Sequence, residues 1–357
     1  MPLRRIPKSE YRVRDKQYWN ELLKKISIRD VARASGVSNA TASYALNGID
    51  RVAEATRLRV LDAAQELNYI PDHAAIRLRT GRSNLFGAII NDITNPFFAE
   101  FMAEFEVEAW SRGFLTVMAT SQDDAERQGH LIRSLLSQGV AGLILSPVHG
   151  SRKEDLRALR EKSLPYIVCV RDIGDSSSGF VGFDDRAAGE IAGRHLFSYG
   201  HRRIAFVGGY EHTATWQLRL EGLRQAAAEM GLPDIDIQTM SGAEGSAFGC
   251  KAVKKLLQSD PTVTAIVGLN DDTANGAYLA AYSMGLRIGV DLSVIGFDNI
   301  PQAASLVPGM TTVELFPRRL GKECATRLSQ LLDQKTAQTE SLRVTPVLIE
   351  RGSVGPA

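Results

Sequence analysis

The chain has 357 residues, of which 44% are hydrophobic and 23% charged, with 42 Lys and Arg against 41 Asp and Glu. This composition excludes disordered and collagen-like classes and leaves room for two or three globular domains. The near-zero net charge conceals an asymmetry, because residues 1–82 hold 16 basic and 9 acidic residues whereas residues 83–357 hold 26 and 32. A basic N-terminal segment indicates a polyanionic partner, since phosphates that are neutralised by the protein release their counterions. An ordinary solvated basic face is the alternative.

Residues 1–25 hold 8 basic and 3 acidic residues without a pattern of core positions. We expect a disordered basic N-terminal arm there, or a start of translation further downstream. The arm lacks the apolar core of a signal peptide, and no later stretch reaches the roughly 20 apolar residues of a membrane span. The three cysteines fit neither a disulfide framework nor a metal-binding pair. These features predict a cytoplasmic protein without membrane contact.

The first predicted helix lies near the start of residues 26–71. Ser27 and Asp30 have the three-residue spacing of a capping box, and an apolar stripe follows them. Gly36 stands where the end of a helix needs a positive φ angle. The pattern therefore predicts a helix over residues 28–35.

The second predicted helix begins after Ser38, a favoured N-cap, and runs to about Leu46. Its place after a short glycine-containing turn is that of a recognition helix in the major groove of DNA. Asn39, Ala40 and Tyr44 would read bases through an amide pair with adenine, a methyl contact and a hydroxyl group. Phosphate contacts are expected from the other polar side chains of this segment, Ser38, Thr41, Ser43 and Asn47.

A third helix is predicted from about Glu54 to Leu67, with Pro71 as its stop. Its expected inward positions are Leu58, Leu61, Ala64 and Leu67. Three helices in this order define a helix-turn-helix DNA-binding domain over residues 26–71. A protein-interaction module is the alternative for a three-helix unit of this size.

From Leu85 onward, short apolar runs alternate with helix-length segments. The runs are LFGAII, FLTVMA, AGLILS, YIVCV, RIAFVGG, AIVGL and VIGF. Such alternation predicts parallel sheets with helical crossovers, with four or five strands in residues 85–183 and three or more in residues 202–297. We therefore expect an α/β body of two doubly wound subdomains with a ligand cleft between them, at the carboxyl ends of the strands.

Longer motifs give these elements a family resemblance. They are SIRDVARASGVSNATASYALNG at 27–48, RVAEATRLRVLDAAQELNYIP at 51–71, AIRLRTGRSNLFGAII at 75–90, NPFFAE at 95–100, GHRRIAFVGG at 200–209, RLEGL at 219–223, LNDDTANGA at 269–277, VIGFDN at 294–299 and VTPVLIERGSV at 344–354. Through them the chain resembles the LacI/GalR family of bacterial repressors from Ile26 to Val354. The resemblance implies a small all-α helix-turn-helix head and a periplasmic-binding-protein-like α/β body. It also implies a homodimer on a pseudo-palindromic operator in double-stranded DNA.

The resemblance further implies a hinge helix and linker at residues 72–83. The hinge would fold on operator DNA and place Leu78 in the minor groove, where an apolar wedge unstacks a base step. A packing role for Leu78 is the alternative. The chain departs from the family pattern at two positions that bear on the operator sequence. Tyr44 stands where the family commonly has arginine, and the hinge arginine, Arg77, is shifted by one position. A minor-groove contact by Arg77 is included in the prediction.

Behind the hinge, the resemblance assigns residues 84–357 to effector binding and dimerisation. The subdomain ranges that it implies are about 84–184 with 315–345 for the N-subdomain, and about 185–314 with 346–357 for the C-subdomain. Phe98 would pack on the effector, and Arg219 and Asp298 would bind its polar groups from opposite sides. The remaining candidates are Asp184, Trp216 and Asp271. An interdomain ion pair of Arg219 with Asp298, and a simple wall position for Trp216, are the alternatives.

The combined prediction is a sequence-specific DNA-binding transcription regulator, a repressor whose operator affinity is controlled by a small molecule in the cleft. A guanidinium opposite a carboxylate suits a polyhydroxylated ligand, so we expect a sugar or sugar derivative. A purine or other metabolite acting as corepressor, and a sugar-binding protein without regulatory role, are the alternatives. No catalytic motif occurs and the six histidines lack ligand spacing, so we expect no enzyme activity, metal or cofactor. The resemblance places the protein at the nucleoid of a bacterial cytoplasm.

Overall fold

The computed structural model describes residues 26–70, 83–175, 179–232, 234–334 and 340–357. The chain divides after Arg82 into two compact units, termed here the head and the body. The predicted hinge at residues 72–83 lies outside the described residues except for Ser83. Within the described ranges, no helix combines the length and apolar character needed to cross a membrane.

Three helices form the described part of the head, α1 (Ile28–Ser35), α2 (Asn39–Leu46) and α3 (Glu54–Glu66). The Asp30 carboxylate accepts hydrogen bonds from the backbone N–H and the hydroxyl of Ser27, at 2.9 and 2.7 Å, and so fixes the start of α1. Gly36 ends that helix in the left-handed region, at a φ of 66°. The Ser38 hydroxyl accepts a hydrogen bond from the backbone N–H of Thr41 at 3.1 Å, and therefore caps α2.

Small apolar side chains fill the core of the head: Val31, Ala32, Ala42, Ala45, Val60, Ala63 and Ala64. Two of the predicted inward positions in α3 are wrong, because Leu58 and Leu61 are 51% and 42% exposed. The buried stripe of α3 passes instead through Val60 and the alanines that follow it. Leu58 precedes Val60 by two residues, which is roughly 200° around a helix, so it faces away from the core.

The first sheet of the body contains six parallel strands in the order β11-β5-β4-β3-β1-β2. Their bounds are β1 (Leu85–Ile90), β2 (Leu115–Thr120), β3 (Gly142–Leu145), β4 (Tyr166–Cys169), β5 (Gly179–Phe183) and β11 (Leu342–Val344). Its helices are α4 (Pro96–Ser111), α5 (Ala125–Gln138), α6 (Arg157–Glu161) with a preceding 3₁₀ turn (Lys153–Leu156), and α12 (Pro317–Gln334). Phe86 and Ile90 cluster with α4, and Ile89 clusters with α5, so β1 is buried on both faces.

The second sheet has the order β12-β10-β9-β8-β6-β7, and only its edge strand β12 runs antiparallel to its neighbour. Its strands are β6 (Arg203–Val207), β7 (Asp236–Met240), β8 (Ala265–Gly268), β9 (Ser293–Phe297), β10 (Thr311–Glu314) and β12 (Val347–Ile349). Its helices are α7 (Asp185–Ser198), α8 (Ala214–Glu229), α9 (Ser246–Ser259), α10 (Asp271–Met284) and α11 (Pro301–Ser305). Helices α7 and α8 approach very closely, since a Cβ atom at Gly189 would lie 2.1 Å from the carbonyl oxygen of Arg219.

The chain passes between the two sheets three times, after β5, after β10 and after β11. Each subdomain is therefore built from separate stretches of sequence, and one apolar cluster of buried residues contains members of both sheets. The predicted α/β body with two doubly wound halves is confirmed. The antiparallel edge strand β12 is the one departure from the purely parallel sheets that the sequence predicts.

Candidate functional site

The predicted base-reading side chains lie on α2 of the head. Asn39 and Ala40 are exposed in its first turn, and Tyr44 is half-buried one turn further along. A recognition helix uses side chains near its N-terminus to reach base edges, and an exposed amide and methyl group suit that use. Arg77 and Leu78 lie outside the described residues, so the minor-groove contacts stay a prediction.

The predicted phosphate-binding side chains of α2 are hydrogen-bonded to one another or to the backbone. The hydroxyl oxygens of Ser38 and Thr41 lie 2.9 Å apart, and Nδ2 of Asn47 donates to the carbonyl oxygen of Ser43 at 2.6 Å. These bonds fix the side chains in place. Each hydroxyl still has unused hydrogen-bonding capacity, so a phosphate contact by these groups is compatible with the geometry.

A cavity of about 540 Å³, termed the cleft cavity, lies between the two subdomains of the body. It is lined by Asn95, Phe97, Phe98, His149, Val170, Arg171, Phe183, Thr213, Thr215, Arg219, Glu244, Leu269, Asn270 and Asp298. Arg171 follows β4, Asn270 follows β8 and Asp298 follows β9, so the carboxyl ends of parallel strands supply its polar groups. Its location is typical of a small-molecule site in an open α/β protein.

Arg219 is the most deeply buried cation of the cleft cavity, with only 3% of its surface exposed. Its Nε donates to the carboxylate of Asp185 at 2.8 Å, and its Nη1 donates to the carbonyl oxygen of Leu269. The guanidinium carbon also lies 4.4 Å from the ring centroid of Phe297. Burial raises the pKa of Asp185 despite the opposing charge of Arg219. The side chain of Arg219 is thus fixed on three sides before any ligand binds.

Asp298 and Glu244 supply carboxylates to the same wall of the cleft cavity. Asp298 is 7% exposed and adopts a φ of 107°, and among the described residues none donates a hydrogen bond to its carboxylate. Burial raises the pKa of Asp298 well above its usual range. Burial also raises the pKa of Glu244, whose carboxylate accepts one hydrogen bond from Nδ2 of Asn270 at 3.2 Å. Both carboxylates therefore have free acceptor capacity toward the cavity.

The opposite wall carries a closed hydrogen-bond network. Arg171 donates both terminal nitrogens to the Asp123 carboxylate, and Asn91 donates to the same carboxylate at 2.9 Å. Burial alone would raise the pKa of Asp123, but the hydrogen bonds and charge of Arg171 hold it below its usual range. His149 lies 3.9 Å from Asp123, and burial lowers its pKa to about 4, so its ring is neutral near pH 7.

The structure brings Phe98, Arg219 and Asp298 together around the cleft cavity, but the other three predicted effector residues are not among those that line it. Asp184 is exposed and caps α7 by accepting a hydrogen bond from the backbone N–H of Ala187 at 3.0 Å. Trp216 is 8% exposed and packs on Phe206, with ring centroids 5.8 Å apart. The predicted alternative of an ion pair between Arg219 and Asp298 is wrong, because Arg219 pairs with Asp185.

Asp271 supports the site from behind. It is fully buried, and its carboxylate accepts hydrogen bonds from the Thr312 hydroxyl at 2.6 Å and from the backbone N–H of Ile300 at 2.9 Å. Burial raises the pKa of Asp271 to about 7. Because Ile300 lies two residues after Asp298, these bonds hold the turn that carries Asp298.

Sequence reasoning missed Asp185, Arg171, Glu244 and Asn270. Arg171 and Asn270 carry a usable signal, since each is a polar residue within two positions of the end of a buried strand. Asp185 differs from the predicted Asp184 by one position at a helix N-terminus, where side-chain direction changes by about 100° per residue. Glu244 follows β7 in a glycine-containing loop, and no periodic pattern indicates its direction. Among the described residues there is no group of three or more side chains arranged to hold a metal ion.

A helix-turn-helix head with a two-lobed, ligand-binding α/β body defines the class of DNA-binding regulators controlled by a small molecule. The body matches the family described as periplasmic binding proteins and sugar binding domain of LacI family over residues 83–351, and the head matches bacterial regulatory proteins, lacI family, over residues 27–72. The chain belongs to the LacI family. It is a transcription regulator of repressor type, not an enzyme, and its partners are operator DNA, a small-molecule effector and a second copy of itself.

Individual relatives align over nearly their whole length. The chain is 31% identical to the ribose operon repressor of Escherichia coli K12 over 329 residues, which is 92% of this chain and 99% of that protein. The lac repressor dimer bound to operator and the anti-inducer ONPF is similar with a TM-score of 0.82 and 26% identity, covering 92% of this chain and 98% of that one. A complex of the transcriptional regulator CelR with cellobiose has a TM-score of 0.67 and 28% identity, covering 92% and 99%.

Proposed function

We propose that the effector is an uncharged, polyhydroxylated molecule of the sugar class and that it binds in the cleft cavity. Arg219, Asp298 and Glu244 are its expected polar contacts, and Phe98 packs on its apolar face. The observation that carries this proposal is the pair of carboxylates, Asp298 and Glu244, which face the cavity without a cation of their own.

The charge balance favours hydroxyl groups over an anion. Each arginine that lines the cleft cavity is paired with a carboxylate outside the lining, Arg219 with Asp185 and Arg171 with Asp123. An anionic ligand would have to approach Asp298 and Glu244 without an unpaired cation to compensate it, which low dielectric makes costly. Hydroxyl groups can donate to both carboxylates and can accept from Arg219.

The apolar lining favours the same class of ligand. Phe97, Phe98 and Phe183 form one aromatic cluster at the cavity, in which the ring of Phe97 meets the rings of Phe98 and Phe183 edge-on, at centroid distances of 5.4 and 5.9 Å. A sugar ring has hydroxyl groups at its edge and C–H groups on its faces. Polar residues on one wall and aromatic rings beside them therefore match both parts of such a molecule.

The proposed ligand class is tested by a thermal-shift screen of the full-length chain against neutral sugars, with purine bases as the second class of compound. A ligand that binds the folded form raises the Tm, by an amount equivalent to about 2.7 kcal/mol at a hundred times its Kd. At least one neutral sugar is expected to give a shift. The Asp298→Asn variant should bind it about tenfold to a hundredfold more weakly, because an oxygen acceptor of the site is replaced by an amide donor and a hydroxyl donor of the ligand is left unpaired.

The matched control is Asp184→Asn. It removes a carboxylate that lies outside the cleft cavity, and asparagine remains a good N-cap for α7. Its Tm shift should equal that of the unaltered chain. Equal losses in both variants, or binding of purines but of no sugar, would refute the proposed ligand class.

For the DNA half, we propose base contacts from Asn39, Ala40 and Tyr44, together with the hinge residues Arg77 and Leu78. The protein is proposed to act in this way on the nucleoid, in the bacterial cytoplasm. Its operator can be obtained by selection from random duplexes. On that operator, Asn39→Ala should cost about 1 to 3 kcal/mol of specific binding while nonspecific binding at the same salt concentration is unchanged. The control is Gln65→Ala, an exposed polar residue of α3.

A further inference from the structure

A second cavity of about 620 Å³ lies where the chain crosses from β10 to α12. It is termed the hinge cavity after this crossover between subdomains and is distinct from the predicted hinge helix at residues 72–83. Its lining residues are Phe97, Glu100, Asp298, Asn299, Ile300, Glu314, Phe316, Pro317, Arg318 and Arg319. These residues come from both subdomains and from the crossover itself. The predicted effector contacts, apart from Asp298, lie elsewhere.

The hinge cavity adjoins the cleft cavity. Phe97 and Asp298 line both spaces, and they are only 4% and 7% exposed. Two side chains that are more than nine-tenths buried therefore form the boundary between the cavities. Asp298 is also the carboxylate without a hydrogen-bond donor among the described residues. A ligand held by Asp298 in one cavity is thus within reach of the other.

Most charged groups of the hinge cavity are already paired. Arg318 donates to Glu100 at 2.7 Å and to Glu104 at 3.3 Å. The Glu314 carboxylate accepts hydrogen bonds from Nδ2 of Asn299 at 2.6 Å and from the backbone N–H of Phe316 at 2.7 Å. A carboxylate oxygen can accept more than one hydrogen bond, so Glu314 keeps capacity for a ligand donor.

Arg319 is an exception, as Asp298 is. It lies in the first turn of α12 and is exposed, and within the described parts of the chain it forms neither a hydrogen bond nor an ion pair. Five N–H donors in a planar fork are therefore available at the edge of the hinge cavity. On the other side of the same space, Phe97, Phe316 and Pro317 supply apolar surface.

We propose that the hinge cavity is a second subsite of the effector site and that it takes a second sugar unit, so that the effector is of disaccharide length. One glycosyl unit would occupy the cleft cavity, and the next would extend past Phe97 and Asp298 toward Glu314 and Arg319. This inference rests on the proposed sugar ligand. Acceptor carboxylates, a donor guanidinium and flat apolar side chains around one space are the groups that a sugar ring needs.

A small anion is the less favourable occupant. Glu100, Asp298 and Glu314 contribute three carboxylates to the lining, against two guanidinium groups, and Arg318 is already shared between two glutamates. Hydroxyl groups can use the carboxylates as acceptors, whereas a phosphate or carboxylate ligand would be repelled by them.

The location also connects the second unit to conformational change. Glu314 and Phe316 flank the point at which the chain leaves the second sheet and enters α12 of the first subdomain, and Asn299, which follows β9, is hydrogen-bonded to Glu314. A sugar in this cavity would touch one of the three crossovers directly. Its binding energy then depends on the relative position of the subdomains, which is the condition for an effector to shift their equilibrium.

The test uses isothermal titration calorimetry on the full-length chain. Glucose is compared with cellobiose, galactose with lactose, and each further monosaccharide that raises the Tm with disaccharides that contain it. At least one disaccharide should bind about tenfold more tightly than the monosaccharide that it contains. In Arg319→Leu that gain should disappear, while the Kd of the monosaccharide stays within about twofold of the unaltered chain. The control Lys322→Leu removes an exposed cation further along α12 and should leave both values unchanged.

Each other result contradicts a particular step. If monosaccharides bind and no disaccharide gains affinity, the second subsite is wrong while the proposed sugar ligand stands. If no neutral sugar binds, the proposed function itself fails. If gluconate or glucose 6-phosphate binds more tightly than glucose and Arg319→Leu removes the difference, the hinge cavity is an anion subsite and the proposal is overturned.

Discussion

The two walls of the cleft cavity contain similar groups in different states. On the N-subdomain wall, Asp123 accepts hydrogen bonds from Arg171 and Asn91, and His149 is uncharged near pH 7. On the C-subdomain wall, Asp298 has no described donor and Glu244 has one. Satisfied groups contribute rigidity, whereas groups with free capacity contribute recognition, because only the latter gain hydrogen bonds when a ligand arrives. The C-subdomain wall is therefore expected to select the effector.

The largest expected effect concerns the ion pair behind that wall. Arg219→Met leaves Asp185 buried without its cation and should lower the free energy of unfolding by about 3 kcal/mol. Urea unfolding at pH 7 measures this loss. The double variant Arg219→Met with Asp185→Leu removes both charges and should recover most of the stability. A single variant as stable as the unaltered chain would show that the pair contributes nothing to the wall.

The next effect is a pH dependence carried by Asp271. Its folded-state pKa of about 7 is above the ordinary value of 3.8, so the folded form binds a proton more tightly than the unfolded form. The stability that this group contributes is complete below pH 4 and is lost as the pH rises toward 7. Relative to Asp271→Asn, the unaltered chain should therefore lose about 1 kcal/mol per pH unit between pH 4.5 and 6.5. A difference that stays constant with pH would contradict the raised pKa.

A smaller loss is expected on the N-subdomain wall. Arg171→Met removes the cation beside Asp123, but the side chain of Asp123 is 36% exposed and keeps its hydrogen bond from Asn91. Solvent screening limits the cost to about 1 kcal/mol. Urea unfolding of Arg171→Met and Arg219→Met under the same conditions measures both losses in the free energy of unfolding and hence their ratio. A loss at Arg171 as large as that at Arg219 would remove the distinction between a partly solvated and a buried pair.

The smallest effect is expected at His149. With a pKa of about 4, its ring stays neutral from pH 6 to 8, so it should add no pH dependence to effector binding in that range. The ratio of the effector Kd values of His149→Gln and the unaltered chain should change by less than about twofold across those pH values. A larger change would mean that His149 becomes charged when the cleft is occupied.

Much of the fold could be predicted from the sequence. The capping box at Ser27 and the N-cap at Ser38 gave the bounds of the first two helices of the head, because local hydrogen bonds determine where those helices begin. The apolar runs predicted strands β1 to β4, β6, β8 and β9 of the body. Strands β7 (DIQTM), β10 (TTVE) and β11 (LRV) lack continuous apolar character, and β12 (VLI) has only three residues, so tertiary pairing is needed to reveal them.

The candidate site was less predictable, because side-chain direction depends on packing. Leu58 and Leu61 fit a helical pattern that ends at Leu67, yet the residues of α3 that are buried in the core of the head are Val60, Ala63 and Ala64. Asp184 and Asp185 are adjacent and chemically identical, but one caps α7 from solvent and the other is buried against Arg219. The hinge cavity depends on residues near 100, 299 and 319, which no local pattern could bring together.

The three crossovers have a consequence for synthesis of the protein on the ribosome. Strands β11 and β12 are the last to be made, and each completes the edge of a different sheet. Neither subdomain can therefore finish folding while residues 342–349 are still inside the ribosome, although most of the body has already emerged by then. The ring nitrogens of His201 also bond the Thr264 hydroxyl and the carbonyl oxygen of Gly355. These bonds connect residue 355 to the segments that precede β6 and β8. The body therefore acquires its ligand response only after residues 342–349 have left the ribosome.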